Sequence, residues 1–179
     1  MKNMAETKAD QQTDDSKYLS FLLSREEYAI DILKVQEIIG LIPITPVPNA
    51  PEYIRGVLNL RGKIIPVMDL RARFGMKQIE DTGETCVIVA QEEEYLMGIV
   101  VDKVSEVLVI KDSEIEEVPS FGIAGKSEYL SGIGKVKEQV KMIVDVHKVL
   151  FDVPDEVLET QEDLGAEGDE EQQFDNRTT

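Results

Sequence analysis

Short runs rich in Val, Ile and aromatic residues alternate with turn-forming residues at 18–23, 28–30, 57–60, 64–68, 86–90, 95–101, 107–110, 133–136 and 140–146. Short strands at such spacing predict small β-barrels or a sandwich. Helical signals are few: 32–39, one turn after Pro51, 70–74 stopped by Gly75, and 147–151. None is long enough to build a helix bundle.

The pattern repeats. Sliding the chain by 76 positions lays Tyr53 on Tyr129, Gly56 on Gly132 and Asp69 on Asp145 without a gap. Ile54, Val57, Leu60, Ile64, Val67 and Phe74 then meet Leu130, Ile133, Val136, Val140, Ile143 and Leu150, apolar on apolar. A second match, at 69 positions, lays Ile30, Lys34, Val35, Glu37 and Ile38 on Ile99, Lys103, Val104, Glu106 and Val107. Two copies of one supersecondary unit, each too small for a large core, are expected to pack together as halves at about 17–84 and 85–151.

Alternation along a strand puts Val140, Met142, Val144 and Val146 on one face and Lys141, Ile143 and Asp145 on the other. The lysine marks the second face as outward. In the first copy the inward set becomes Ile64, Pro66, Met68 and Leu70, and the outward set Ile65, Val67 and Asp69. An apolar outer face is costly in water, so Ile65 and Val67 are expected to lie under the other half or under a partner.

Between those strands, Asn59-Leu60-Arg61-Gly62-Lys63 reads as a turn in which Gly62 supplies a positive φ and Arg61 stands at the rim. Arg61 is either a solvated turn residue or a guanidinium anchored by a carboxylate such as Glu37, with its other donors turned to a partner. Asp69 and Asp145 each precede a short helical stretch and fit N-caps better than a catalytic carboxylate pair.

Charge narrows the choice of function. The 19 basic and 36 acidic residues leave a net −17, which repels nucleic acid and anionic membrane surfaces and favours basic partners. Ten of those net charges sit in 152–179, which holds eleven acids and one base and is expected to be a disordered tail. Residues 1–16 are expected to be a disordered arm; they hold no apolar segment of a secretory signal, and no later run approaches membrane-spanning length. A cytoplasmic protein follows as the expectation.

Catalytic groups are missing from the pattern. His147 is the only histidine, and Arg71 occupies its place in the first copy, which argues against a catalytic base. Cys86 stands alone in an apolar run, so it reads as a core thiol, and neither a disulfide nor a zinc site can be assembled. The stretch Ser120-Phe-Gly-Ile-Ala-Gly-Lys-Ser127 approaches a phosphate-binding loop but has serine at its first required glycine and lacks the strand–loop–helix context. No catalytic residue, cofactor or metal is therefore expected.

The stretch Gly56-Val-Leu-Asn59-Leu60-Arg61-Gly62-Lys-Ile64-Ile-Pro66-Val67-Met-Asp69-Leu70-Arg71, with the earlier Tyr28-Ala-Ile-Asp-Ile-Leu-Lys-Val-Gln-Glu37-Ile38, closely resembles the signature of the CheW family of chemotaxis coupling proteins. The resemblance spans 17–151 and implies a mainly β fold: two SH3-like five-stranded barrels packed together, with a few short helices. It also implies a scaffold that joins the regulatory domain of the histidine kinase CheA to the cytoplasmic tips of methyl-accepting chemoreceptors, recruited to receptor arrays without entering the membrane. Carried over by motif, Gly56, Asn59, Arg61, Gly62, Ile65 and Val67 serve kinase coupling, with Glu37 as the ionic partner of Arg61. Val35, Glu37, Ile38, Val104 and Val107 line a receptor groove between the halves, suited to the apolar stripe of a helix. The same coupler fold in another sensory pathway, such as surface motility, and a nucleotide-responsive regulator remain as alternatives.

Overall fold

A computed structural model describes residues 15–119 and 127–151. The expected acidic tail, residues 1–14 of the expected arm, and residues 120–126 of the loop resembling a phosphate site lie outside the described residues. Asp15 and Ser16, assigned above to the arm, belong to the first strand.

In chain order the elements are β1 (Asp15–Leu23), β2 (Glu26–Asp31), β3 (Val35–Gly40), β4 (Ile54–Leu60), β5 (Lys63–Asp69), α1 (Leu70–Arg73), β6 (Cys86–Glu92), β7 (Tyr95–Val101), β8 (Lys103–Lys111), β9 (Ile115–Glu116), β10 (Leu130–Val136), β11 (Gln139–Val144) and α2 (Val146–Phe151). The helix expected over 32–39 does not form. Only a 3-10 turn, Ile32–Lys34, is present, with the Asp31 side chain accepting from Leu33 N. The β-branched Val35, Ile38 and Ile39 then favour extended chain, which continues as β3.

Two sheets form, ordered β8-β1-β2-β11-β10-β9 and β3-β6-β7-β5-β4. Setting aside the short edge strand β9, one order maps onto the other through the repeat: β1 with β6, β2 with β7, β8 with β3, β11 with β5, β10 with β4. Register agrees as well. In the parallel pair β2–β11 Ile30 faces Val144, and in the parallel pair β7–β5 Ile99 faces Met68, the residues that the two offsets superimpose. The fold is mainly β, with two SH3-like subdomains packed together.

The subdomains are not the sequential halves 17–84 and 85–151. All strands of the second sheet lie between Val35 and Val101, whereas the first sheet joins β1 and β2 to β8 through β11. One barrel is thus inserted into the other, and the chain crosses between them at the 3-10 turn after β2 and at Asp102. Each copy of the repeat contributes its first hairpin to one barrel and its later strands to the other.

Three apolar clusters follow. Leu58, Ile65, Val67, Val87, Val89, Leu96 and Val100 fill the inserted barrel. Tyr18, Ala29, Ile110 and Ile143 fill the framing barrel. The largest cluster lies between them, drawing Leu19, Phe21, Tyr28 and Val144 from one barrel and Met68, Phe74, Ile88 and Ile99 from the other. Phe74 of the inserted barrel sits between Tyr28 and Tyr129, with ring centroids at 5.5 and 5.8 Å.

This arrangement reverses the faces inferred from alternation. The set read as outward, Ile65 and Val67, points into the inserted barrel and is 1% and 0% exposed. Of the set read as inward, Met68, Leu70, Met142, Val144 and Val146 pack on the interface between barrels, while Val140 is 56% exposed. No apolar outer face remains to be covered at Ile65 and Val67.

Lys141 misled because it too points inward. It is 4% exposed inside the framing barrel and pairs with Glu27 on the neighbouring strand β2. Burial holds its pKa below that of an ordinary lysine, so its protonated form carries a penalty. The folded protein releases this proton first, so the penalty is relieved as pH rises through the folded pKa toward the unfolded value of 10.5. The repeat supplies the apolar alternative: Ile65 and Leu96 stand where Lys141 and Glu27 stand. The double variant Glu27→Leu/Lys141→Ile is expected to match or exceed the parent by up to about 3 kcal/mol in urea unfolding. Lys141→Ile alone, which strands Glu27 without its ammonium, should fall below the double variant.

Candidate functional site

The turn between β4 and β5 departs from the chain's comfortable geometry. Arg61 has φ +52° and Gly62 φ +83°, the left-handed pair that a two-residue hairpin between right-twisted strands requires. Asn59 Oδ1 accepts from Gly62 N at 2.8 Å and fixes the turn. Glycine takes this conformation freely, while a residue with a Cβ bears a cost of about 1 kcal/mol.

From that turn Arg61 Nη2 donates to Glu37 Oε2 at 2.5 Å. Glu37 lies on β3 and Arg61 follows β4, the two edges of the five-stranded sheet, so the ion pair spans the seam where the sheet curls onto itself. Arg61 is 74% exposed, and exposed pairs contribute at most about 1 kcal/mol. That no more than offsets the turn strain. Folding therefore gives little reason for arginine here, and most of the guanidinium stays open to solvent.

The other motif residues divide by environment. Gly56 is buried on β4, its absent Cβ replaced by the backbone of Thr45. Ile65 and Val67 are interior, so they offer a partner no surface. Asp69 and Asp145 are N-caps, accepting from Ala72 N at 3.2 Å and Lys148 N at 3.1 Å.

The residues expected in a groove fall into pseudo-symmetric pairs. Val35 and Val104, half-buried, both pack on the cluster between the barrels. Ile38 and Val107, three residues further on, are exposed on edge strands of different sheets. Leu33 was missed by sequence reasoning. It is 87% exposed on the crossover before Val35, and its signal was an apolar residue inside an Asp-capped turn whose counterpart in the repeat is Asp102.

Sequence reasoning also missed the polar joint between the barrels. Arg71, on α1, donates through Nε to Asp102 Oδ1 at 2.7 Å, through Nη1 to the Lys77 carbonyl at 2.8 Å and through Nη2 to Ser24 Oγ at 2.9 Å. Ser24 N donates to Asp102 Oδ2 at 2.6 Å. The helix of one barrel, the first hairpin of the other and the second crossover are thereby tied together. Burial opposes ionisation of Asp102, but the hydrogen bonds from Arg71 and Ser24 outweigh it and hold the carboxyl below its usual range.

His147, the counterpart of Arg71, is exposed beside Glu92, with Nδ1 3.8 Å from Oε1. Cys86 is half-buried, and burial pushes its thiol pKa up, away from a reactive thiolate. Among the described residues no group of three His, Cys, Asp or Glu side chains could hold a metal ion, and no helix is long and apolar enough to cross a membrane. What the surface offers is a pinned guanidinium and scattered apolar anchors.

A profile of the CheW-like domain matches residues 17–153. The chain belongs to the CheW family. A chemotaxis protein CheW from Klebsiella aerogenes is 42% identical over 139 residues, covering 78% of this chain and 84% of its own. The CheW of Bacillus subtilis is 34% identical over 134 residues, covering 75% and 86%. The crystal structure of the scaffolding protein CheW from Thermoanaerobacter tengcongensis matches with a TM-score of 0.70 at 34% identity, over 75% of this chain and 86% of that one. As a CheW-family member the chain is a coupling adaptor of chemotaxis signalling, and neither alternative reading finds support.

Proposed function

We propose that this adaptor joins the regulatory domain of the histidine kinase CheA to the cytoplasmic tips of methyl-accepting chemoreceptors, working in the cytoplasm at receptor arrays. It brings no catalytic group, cofactor or metal, binds no nucleic acid and does not enter the membrane. The observation that carries this reading is Arg61, held by Glu37 in a strained turn, mostly exposed, with no compensating role in stability. Arg61, with Asn59 and Gly62 shaping its turn, is assigned to kinase coupling. Gly56 supports that surface from behind, as a packing residue. Val35, Glu37, Ile38, Val104 and Val107, joined by Leu33, are assigned to the receptor, whose helical tip can set its apolar stripe against them. Ile65 and Val67 drop out of the kinase surface because they are buried.

A substitution separates coupling from folding. Arg61→Gly relieves the left-handed strain while removing the guanidinium, so thermal and urea midpoints should stay level or rise, by up to about 1 kcal/mol. Receptor-dependent activation of kinase autophosphorylation, reconstituted from receptor fragment, kinase and this chain, should fall at least about tenfold, the loss of one charge-assisted contact at an interface. Full coupling by a stable Arg61→Gly protein would remove Arg61 from the site.

A further inference from the structure

The two copies of the repeat part company at one polar position. In the first, Arg55 on β4 lies against the α1 cap: Nε and Nη2 are 2.9 and 2.8 Å from Asp69 Oδ2. Its other edge engages Asp81 bidentately, at 2.9 Å and 2.9 Å. In the second copy that position is Ser131. The aspartate remains, as Asp145, but the guanidinium is gone, and a cavity of about 230 Å³ opens there, bordered by Ser131, Asp145, Asp31, Glu92, Lys34 and His147.

Its chemistry favours a cation. Three carboxylates face one ammonium, and that ammonium is engaged by Glu92 at 2.5 Å. A metal ion fits poorly, since these acids do not converge into a group able to hold one. The volume suits a side chain instead. We infer that this cavity receives an arginine side chain from a protein partner, which supplies in trans the guanidinium that Arg55 supplies in cis to the other barrel. Arginine is preferred to lysine because a planar fork can satisfy Asp145 on one edge and a second carboxylate on the other, as Arg55 does with Asp69 and Asp81. The chain's net charge of −17 draws basic partners to it. The inference is independent of which partner carries the arginine.

The test uses the full chain, with N-acetyl-arginine amide as probe and N-acetyl-lysine amide as control, read by amide chemical shifts of Ser131 and residues 145–147. Arginine amide should shift these signals saturably and bind several-fold tighter than lysine amide. Asp145→Asn keeps an N-cap on α2, since asparagine caps as well as aspartate, yet should weaken the probe about tenfold through the lost charge. Ser131→Arg, at an exposed position, should occupy the cavity from within, abolish probe binding and raise the thermal midpoint. Equal response to both amides, or indifference to Asp145→Asn, would reduce the effect to counterion screening and overturn the site. Tighter probe binding in Arg177→Gln than in the parent would overturn the partner, making the chain's own terminal arginine the occupant.

Discussion

Cut between residues 84 and 85, the chain is expected to yield fragments 15–84 and 85–151 that are each unfolded alone, although each holds one full copy of the repeat. Fragment 15–84 contains β1 through β5, but outside the β1–β2 hairpin those two strands pair only with β8 and β11, β3 pairs only with β6, and β5 outside its hairpin with β4 pairs only with β7. What remains possible is two isolated hairpins, and a lone hairpin is marginal in water. Fragment 35–101 is the contrasting piece. It retains every pairing of the five-stranded sheet and the cluster around Leu58, Ile65 and Val87. It loses the partners of Met68, Phe74, Ile88 and Ile99 across the interface, so it should show strand signal in circular dichroism but unfold at far lower urea than the parent. Mixing 15–84 with 85–151 should restore folded signal, because together they hold all pairings. Cooperative unfolding of 15–84 by itself would show that the halves are domains after all.

The repeat itself was legible because β4, β5 and α1 impose the same demands twice. A tyrosine carbonyl receives the aspartate amide in both copies, from Asp69 N to Tyr53 O at 2.7 Å and from Asp145 N to Tyr129 O at 2.8 Å. A glycine stands at the same position in both, where a Cβ would press on Thr45 backbone in the first copy and on the Ile115 side chain in the second, and an aspartate caps the helix that follows. Which strands those units join was not legible, since a hydrophobic pattern records that a face is buried and not what buries it. The error over Ile65 and Val67 has the same root. Both faces of β5 are apolar because one lines a barrel and the other lines the interface, and the only tie-breaker was Lys141, a charged residue that is itself buried and paired with half-buried Glu27. At the candidate site, the Glu37–Arg61 pair was anticipated from the family motif, and its geometry agrees. Leu33 was not, because exposure of a single leucine depends on a crossover that periodicity read as helix. Arg55 and Arg71 escaped for a related reason: their carboxylate partners lie 14 to 31 positions away along the chain, a pairing that only the tertiary fold defines.

Gly56→Ala is expected to destabilise the protein by about 3 to 5 kcal/mol, a large share of the roughly 5–15 kcal/mol that a domain of this size holds. Its φ of +144° is one that side chains rarely adopt, and a Cβ placed there would stand 2.0 Å from the Thr45 oxygen, 2.7 Å from the Thr45 carbonyl carbon and 2.9 Å from Pro46 Cα. These are backbone atoms that cannot rotate aside. They are also held in place, because Thr45 and Val57 exchange hydrogen bonds of 2.8 and 2.9 Å next to the glycine. Relief must break that bridge and move the segment of Leu41, Ile42 and Ile44 off the inserted barrel's core. Gly62 is the control, sharing the motif and a positive φ but with nothing within 4 Å of a built Cβ, so Gly62→Ala should cost only about 1 kcal/mol. Urea unfolding of the two variants side by side separates packing from conformational preference, and equal midpoints would refute the clash. The comparison also decides how loss of coupling is to be interpreted. Gly56→Ala should lose receptor control of the kinase in proportion to its unfolded fraction and regain it when stabilised. Arg61→Gly should lose it while fully folded, because its defect lies in the contact and not in the fold.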